Sequence, residues 1–231
     1  MYIYFGILLS LLLCLTSIAK PAAFYTFKDT QGREMEAKIT RVSGEDVYIE
    51  RSDGLNTKVK RSIFSKKDQT YIAEWAHNTL LESGILDVQF TTTKTDKRKS
   101  SSGGIQREDY KVRYNVIINN SAHEDFSDIR VEYLILKFED ILSATKRSEG
   151  NLKRFKGRAE LPLIPAREEI SANTEDIPML ESKLESGYIW GNGAKKTSKD
   201  KLEGIWVKIY IGDKLVHEIS KPENMMRKEK W

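Results

Sequence analysis

The side chains able to do chemistry in this chain are few and scattered. His77, His123 and His217 stand far apart, and none has a second histidine or an acid at metal-ligand spacing. His123 is followed by Glu124 and Asp125, the nearest approach to a divalent-cation set. Consecutive residues on a strand or turn point apart, so three solvated loop charges are the expected reading. The one cysteine, Cys14, lies in an apolar N-terminal stretch expected to be removed. The mature chain is then expected to hold no thiolate nucleophile, disulfide or cysteine-based metal site. There is no Gly-x-Ser-x-Gly, and no Ser-x-x-Lys placed on a helix with its companion motifs. Carboxylates are plentiful but lie among basic residues, and a glycosidase pair cannot be argued from spacing along strands. Gly191-Asn192-Gly193-Ala194-Lys195-Lys196 lacks the strand-to-helix setting of a phosphate loop and reads as a turn. The expectation is a protein that is not an enzyme and uses no cofactor and no metal.

Binding surfaces are the other source of function. The run Lys94, Lys97, Arg98 and Lys99 could meet an anionic lipid, cell-wall polymer or nucleic acid, but its Ser/Gly surroundings suggest a solvated loop. Tyr188, Trp190, Trp206 and Tyr210 could stack on a sugar; sandwich core or edge cover is the plainer expectation. The net charge is +4, from 38 basic against 34 acidic residues. The two signs are interspersed, and a nucleic-acid partner is not expected.

The elements that would position such groups begin at Phe24. Thr30-Gln31-Gly32, Ser43-Gly44-Glu45 and Ser52-Asp53-Gly54 are turn signals that cut residues 24–60 into four short strands. Met35, Ala37 and Ile39 share one face. Val47 and Ile49 oppose Asp46, Tyr48 and Glu50. Leu55, Thr57 and Val59 oppose Asn56, Lys58 and Lys60. Period two with one apolar face predicts a sheet covered on one side, and closure into a small barrel would remove its edges. Ser65, with Asp68 three residues later, predicts a capped helix start. Tyr71, Ile72, Trp75, Ala76 and Thr79 form its apolar stripe, with Ile72 and Trp75 expected to close one end of the barrel.

Tyr25-x-Phe27-x-Asp29-x-x-Gly32, Ser52-Asp53-Gly54 and Phe64-Ser65-x-x-Asp68-Gln69-x-Tyr71-Ile72 together resemble the SLA homology domain of the first type. That family is named after a yeast endocytic adaptor, and similar domains occur in exported bacterial proteins. The resemblance covers roughly a quarter of the chain, and implies an SH3-like barrel that binds a peptide. In the adaptor the ligands are Asn-Pro-Phe-x-Asp sorting peptides, alongside clathrin-coat and actin partners. The basic positions Arg51, Lys58, Lys60 and Arg61 are the ligand-binding candidates; solvated strand faces are the alternative.

Residues 1–19 read as a signal peptide ending Ser17-Ile18-Ala19, with an uncleaved anchor as the alternative because the start lacks Lys and Arg. A periplasmic or secreted protein follows, with a membrane link only through this segment if it is retained. Residues 20–84 form the first module and 85–221 the second, with 222–231 a charged tail. In the second module, residues 85–93, 109–118, 129–138, 155–164, 168–174, 184–190, 205–211 and 214–220 read as strands. Residues 94–106 read as a mobile loop. Tyr110, Val112, Tyr114, Val116 and Ile118 share one face. The fold expected is mainly β: the barrel with its C-terminal helix, then an immunoglobulin- or fibronectin-like antiparallel β-sandwich. The expected function is non-catalytic recognition of a peptide or envelope protein. A structural role, or binding of a carbohydrate or surface polymer, is the alternative. A cytoskeletal adaptor role would follow only for a chain that stays inside the cell.

Overall fold

The computed structural model describes residues 24–231. The expected signal peptide and Cys14 lie outside the described residues. Among the described residues no helix is long and apolar enough to cross a membrane. The chain divides into two compact units between His77 and Asn78.

The first unit is an antiparallel sheet in the order β1-β2-β3-β4: β1 (Tyr25–Lys28), β2 (Glu34–Ser43), β3 (Asp46–Arg51) and β4 (Asn56–Lys60). The turns fall where glycine and small polar residues foretold them. The sheet does not close into a barrel. β1 and β4 do not pair; an isolated bridge from Asp29 to Phe64 is the link on that side, with the Thr30 N–H donating to the Ile63 carbonyl. A short 3-10 turn (Arg61–Ile63) and helix α1 (Lys66–Glu82) cover the apolar face instead. Phe27, Ala37, Ile39, Val47, Ile49, Phe64 and Ile72 make the core, with Tyr71 and Trp75 against it. Thr79, read as part of the helix stripe, is exposed.

Asp68 ties helix to sheet. Its own N–H donates to Ser65 Oγ at 3.2 Å, the expected cap. Its carboxylate does more than close a capping box, accepting from Lys28 N–H, Tyr25 O–H and Ser65 O–H, each at 2.8 Å. Only 2% of Asp68 is exposed. Burial works against its charged form, but the donors from Lys28, Tyr25 and Ser65 prevail and hold the carboxyl below its ordinary value.

The second unit is a sandwich of two antiparallel sheets. The first sheet has the order β11-β10-β6-β5, with β9 also on β6; the second has the order β13-β12-β7-β8. Its strands are β5 (Leu86–Ser102), β6 (Ile105–Asn120), β7 (Phe126–Glu139), β8 (Asn151–Ile164), β9 (Glu169–Asn173), β10 (Ile177–Leu184), β11 (Thr197–Lys199), β12 (Lys201–Ile211) and β13 (Lys214–Lys221). The alternating face of β6 packs as expected: Tyr110, Val112, Tyr114, Val116 and Ile118 are buried against Ile129, Val131, Tyr133 and Ile135 of β7 and Ile205, Val207 and Ile209 of β12. Burial alone pushes the Tyr114 hydroxyl up to about 12.

Two sequence expectations fail here. Residues 94–106 are not a loop: β5 and β6 continue through them and reverse at Gly103-Gly104, both at positive φ. Cross-strand pairing outweighs the polar composition, which marks an exposed edge. Residues 184–190 are not a strand; β10 lies upstream and the chain turns at Glu185–Tyr188.

β12 lies inside its sheet, between β13 at the edge and β7. Its outward Trp206 joins Leu134, Leu136 and Met225 in a second cluster. A short helix α2 (Met225–Lys228) and Trp231 cover that cluster, the Trp206 and Trp231 rings meeting edge to face at 4.9 Å.

Candidate functional site

The four basic candidates of the first unit are all neutralised locally. Lys60 and Lys58 reach Asp46 at 2.6 and 3.5 Å, and Arg61 holds Glu45. Arg51 sits at the far end of β3, paired with Asp53 at 2.7 Å. The fold therefore brings Lys58, Lys60 and Arg61 together around two acids, and leaves Arg51 apart.

The aromatic quartet is also dispersed. Trp206 is buried, Tyr210 packs under Arg130, and Tyr188 and Trp190 belong to the loop after β10. Lys94 lies over the Tyr110 ring and Lys99 faces Glu108 at 3.7 Å, on the strand that replaced the predicted loop. Arg167 meets His123 Nε2, and Asp125 accepts the Ala166 N–H, so His123 and Asp125 have separate partners. Among the described residues no group of three potential metal ligands converges.

A more concentrated arrangement lies at one end of the sandwich. Strand β7 alternates to its last residues, so Lys137 points inward and Phe138 outward. Lys137 is 4% exposed, and its ammonium lies 2.9 Å from Asp200 and 3.3 Å from Glu139. Asp200, between β11 and β12, also accepts the Leu180 and Asp140 N–H groups. This buried pair fixes the point where the chain passes from one sheet to the other. Outside it, Asp140 holds the Lys195 ammonium and the Lys199 N–H. Burial opposes the charged form of Asp140, but these donors hold its carboxyl below the ordinary range.

The loop from 140 to 150 is set by Glu149, whose carboxylate accepts from Thr145 O–H and from the Thr145 and Lys146 N–H groups. It brings Lys146 and Arg147 beside Lys195, Lys199 and Lys201, around a cleft of about 290 Å³ whose further lining is Phe138, Asp140 and Thr145. Five cations face one carboxylate. Three have acid partners, Arg147 with Glu203, Lys195 with Asp140 and Lys199 with Glu181. Lys146 and Lys201 hold no ion pair among the described residues.

Phe138 and Arg147 also line an adjoining cleft of about 310 Å³ with Leu136, Leu152 and Met225. The Arg147 guanidinium lies 4.5 Å over the Phe138 ring, and Leu152 is 41% exposed. The rest of this cleft is Glu203, Pro222, Asn224, Lys228 and Glu229, with Glu203 paired to Arg147 and Glu229 to Arg154, so a basic recess and a partly apolar recess share a wall. Sequence reasoning missed this site because its cations come from two segments, 146–147 and 195–201, far apart in the chain.

No protein-family model and no curated protein matches this chain. Among solved structures, the chain is similar to a structural-genomics target designated SoR45, at 11% identity and a TM-score of 0.29, covering 59% of this chain and 85% of that one. It is also similar to the E. coli curli protein CsgC, at 15% identity and a TM-score of 0.26, covering 59% of this chain and 99% of that one.

Proposed function

We propose that the protein is exported and works by non-catalytic recognition of an extended acidic peptide on another protein. The observation that carries this is the paired recess of the second unit: five basic side chains against one carboxylate, sharing Phe138 and Arg147 with a cleft whose apolar part is Leu136, Phe138, Leu152 and Met225. A carboxylate entering the basic half would meet Lys146 and Lys201, which have no acid of their own to give up. An aromatic or aliphatic side chain two or three residues away would fill the half lined by Phe138 and Leu152. Charge complementarity of this kind sets orientation and on-rate, while the apolar anchor supplies most of the affinity. Arg51, Lys58, Lys60 and Arg61 would have to break existing ion pairs to do the same work, so the recess in the sandwich is the better peptide site.

The export part rests on residues 1–19, an apolar stretch ending in Ser-Ile-Ala. The reading of residues 24–81 as an SLA-homology-like module is supported by its motif residues and by the Ser65–Asp68 helix start. In an exported chain that module would have no clathrin or actin to meet.

The test is a peptide array probed with the full chain, in which aromatic anchors and Asp/Glu positions are varied independently. Peptides with both features should be retained, and retention should fall as salt rises. Lys146→Glu with Lys201→Glu should weaken binding about tenfold or more, whereas Lys60→Glu should leave it unchanged. Equal retention of neutral peptides, or an unaltered double variant, would refute the assignment.

A further inference from the structure

The same unit carries a second surface of different chemistry at the tip of the β5–β6 hairpin. The loop after β10 is pinned there. Glu185 donates its N–H to the Gly104 carbonyl at 2.9 Å, and its carboxylate accepts from Ser101 O–H. The Tyr188 ring lies over Gly104, where an added Cβ would sit 2.8 Å from Tyr188 Cε1. Two turns then hold the loop in shape: Tyr188 N–H to the Glu185 carbonyl and Gly193 N–H to the Trp190 carbonyl, both at 3.2 Å.

These turns push apolar side chains outward. Tyr188 is 53% exposed and Ile189 77%. Trp190 sits behind them, half-buried, in a cleft shared with Ile105, Ile141 and Leu142. A single exposed hydrophobe needs no explanation. Adjacent Tyr, Ile and Trp on a constrained tip are a different matter, because a loop held by this many bonds could have turned them inward.

The flank of the tip is basic. Lys99, Arg107 and Lys183 line one polar cleft of about 540 Å³. The acids nearby are engaged: Glu108 with Lys99, Glu181 with Lys199 and Glu185 with Ser101. Arg107, Lys183 and Lys196 hold no ion pair among the described residues.

We propose that this tip is a contact for an anionic lipid surface, with Tyr188, Ile189 and Trp190 at the headgroup level and Arg107, Lys183 and Lys196 facing the acidic headgroups. Amphipathic rings favour the membrane interface, and long basic side chains keep their charge at headgroup depth while their stems cover apolar surface. A protruding patch with cations beside it matches a flat acidic bilayer, whereas an apolar protein partner would leave those cations facing nothing. Each basic residue near such a surface is worth roughly fivefold in partitioning, so three of them with one apolar loop give weak, reversible attachment.

The experiment is co-sedimentation of the full chain with vesicles of phosphatidylcholine alone or with added phosphatidylglycerol, together with quenching by brominated acyl chains. Binding should require phosphatidylglycerol and weaken with salt. Quenching should disappear in Trp190→Phe. Ile189→Asp should lower partitioning about tenfold, and Arg107→Glu with Lys183→Glu by more, with circular dichroism unchanged because all three positions lie at the surface. Attachment through the N-terminal apolar stretch would instead proceed on phosphatidylcholine without quenching of Trp190. That result, failure to bind either vesicle, or an unaltered Ile189→Asp variant would overturn the proposal.

Discussion

Asp68→Ala tests how the first unit is held together. The substitution removes the acceptor for Lys28 N–H, Tyr25 O–H and Ser65 O–H, all now at 2.8 Å. Two of these donors belong to β1, so the change unties the strand from the helix start. A donor left unsatisfied away from water costs about 1–3 kcal/mol. Solvent can reach the Ser65 hydroxyl at the helix end, so Lys28 and Tyr25 dominate, and the loss comes to about 3 kcal/mol. For a unit of this size that lowers the melting temperature by about 12–24 °C. Hydrogen exchange read by mass spectrometry localises the effect: amides of residues 25–28 and 66–72 should lose protection, while those of β6 and β12 keep theirs. Asp68→Asn, which preserves volume and one acceptor, should fall between. Because the native carboxyl is held below its ordinary value, its contribution is complete above the unfolded value of about 4 and disappears as pH falls through the lower native value. The acid side of the stability profile should therefore flatten in Asp68→Ala. A variant that melts within about 1 kcal/mol of the parent, with β1 still protected, would refute the reasoning.

Lys137→Met removes one half of a buried ion pair and leaves Asp200 facing the interior. Urea unfolding should show a loss of about 3–5 kcal/mol in the second unit. His217 is disfavoured as a cation by burial, partly opposed by Asp87, so its native pKa lies below the usual histidine value. Its contribution is whole above about pH 6.5 and is lost as pH falls from there toward the lower native value. The pH profile between 7 and 5 should flatten in His217→Phe, as followed by thermal melting. Gly204→Ala puts a Cβ 2.7 Å from the Lys221 carbonyl and 2.9 Å from Met225 Sδ. It should cost about 1–3 kcal/mol and loosen the C-terminal segment, read as a red shift in tryptophan emission as Trp231 leaves Trp206.

The period-two runs were legible because one side chain in two must avoid water. The face of β6 from Tyr110 to Ile118, the β12–β13 hairpin at Gly212-Asp213 and the glycine turns of the first unit all follow from local pattern. The Ser65–Asp68 helix start was legible for the same reason: its partners are three residues apart. The stretch 94–106 misled because its polar Thr/Ser/Lys composition suits both a mobile loop and an exposed edge strand, and the partner strand settled the matter.

What the sequence determined alone was the alphabet of the fold: strand periodicity, turn positions, one capped helix, and the lack of a readable catalytic motif. Tertiary structure decided whether the first sheet closed, which cations kept a free charge, and which residues met at one end of the sandwich, where Asp140 lines both the basic cleft and the cleft of Trp190. The reason is distance along the chain. Lys146, Lys195 and Lys201 share a cleft, and Tyr188 rests on Gly104, only because antiparallel pairing brings remote strand ends together. Ion pairing has the same origin: Asp46 silences Lys58 and Lys60 from the neighbouring strand, where spacing along the sequence carries no sign of it.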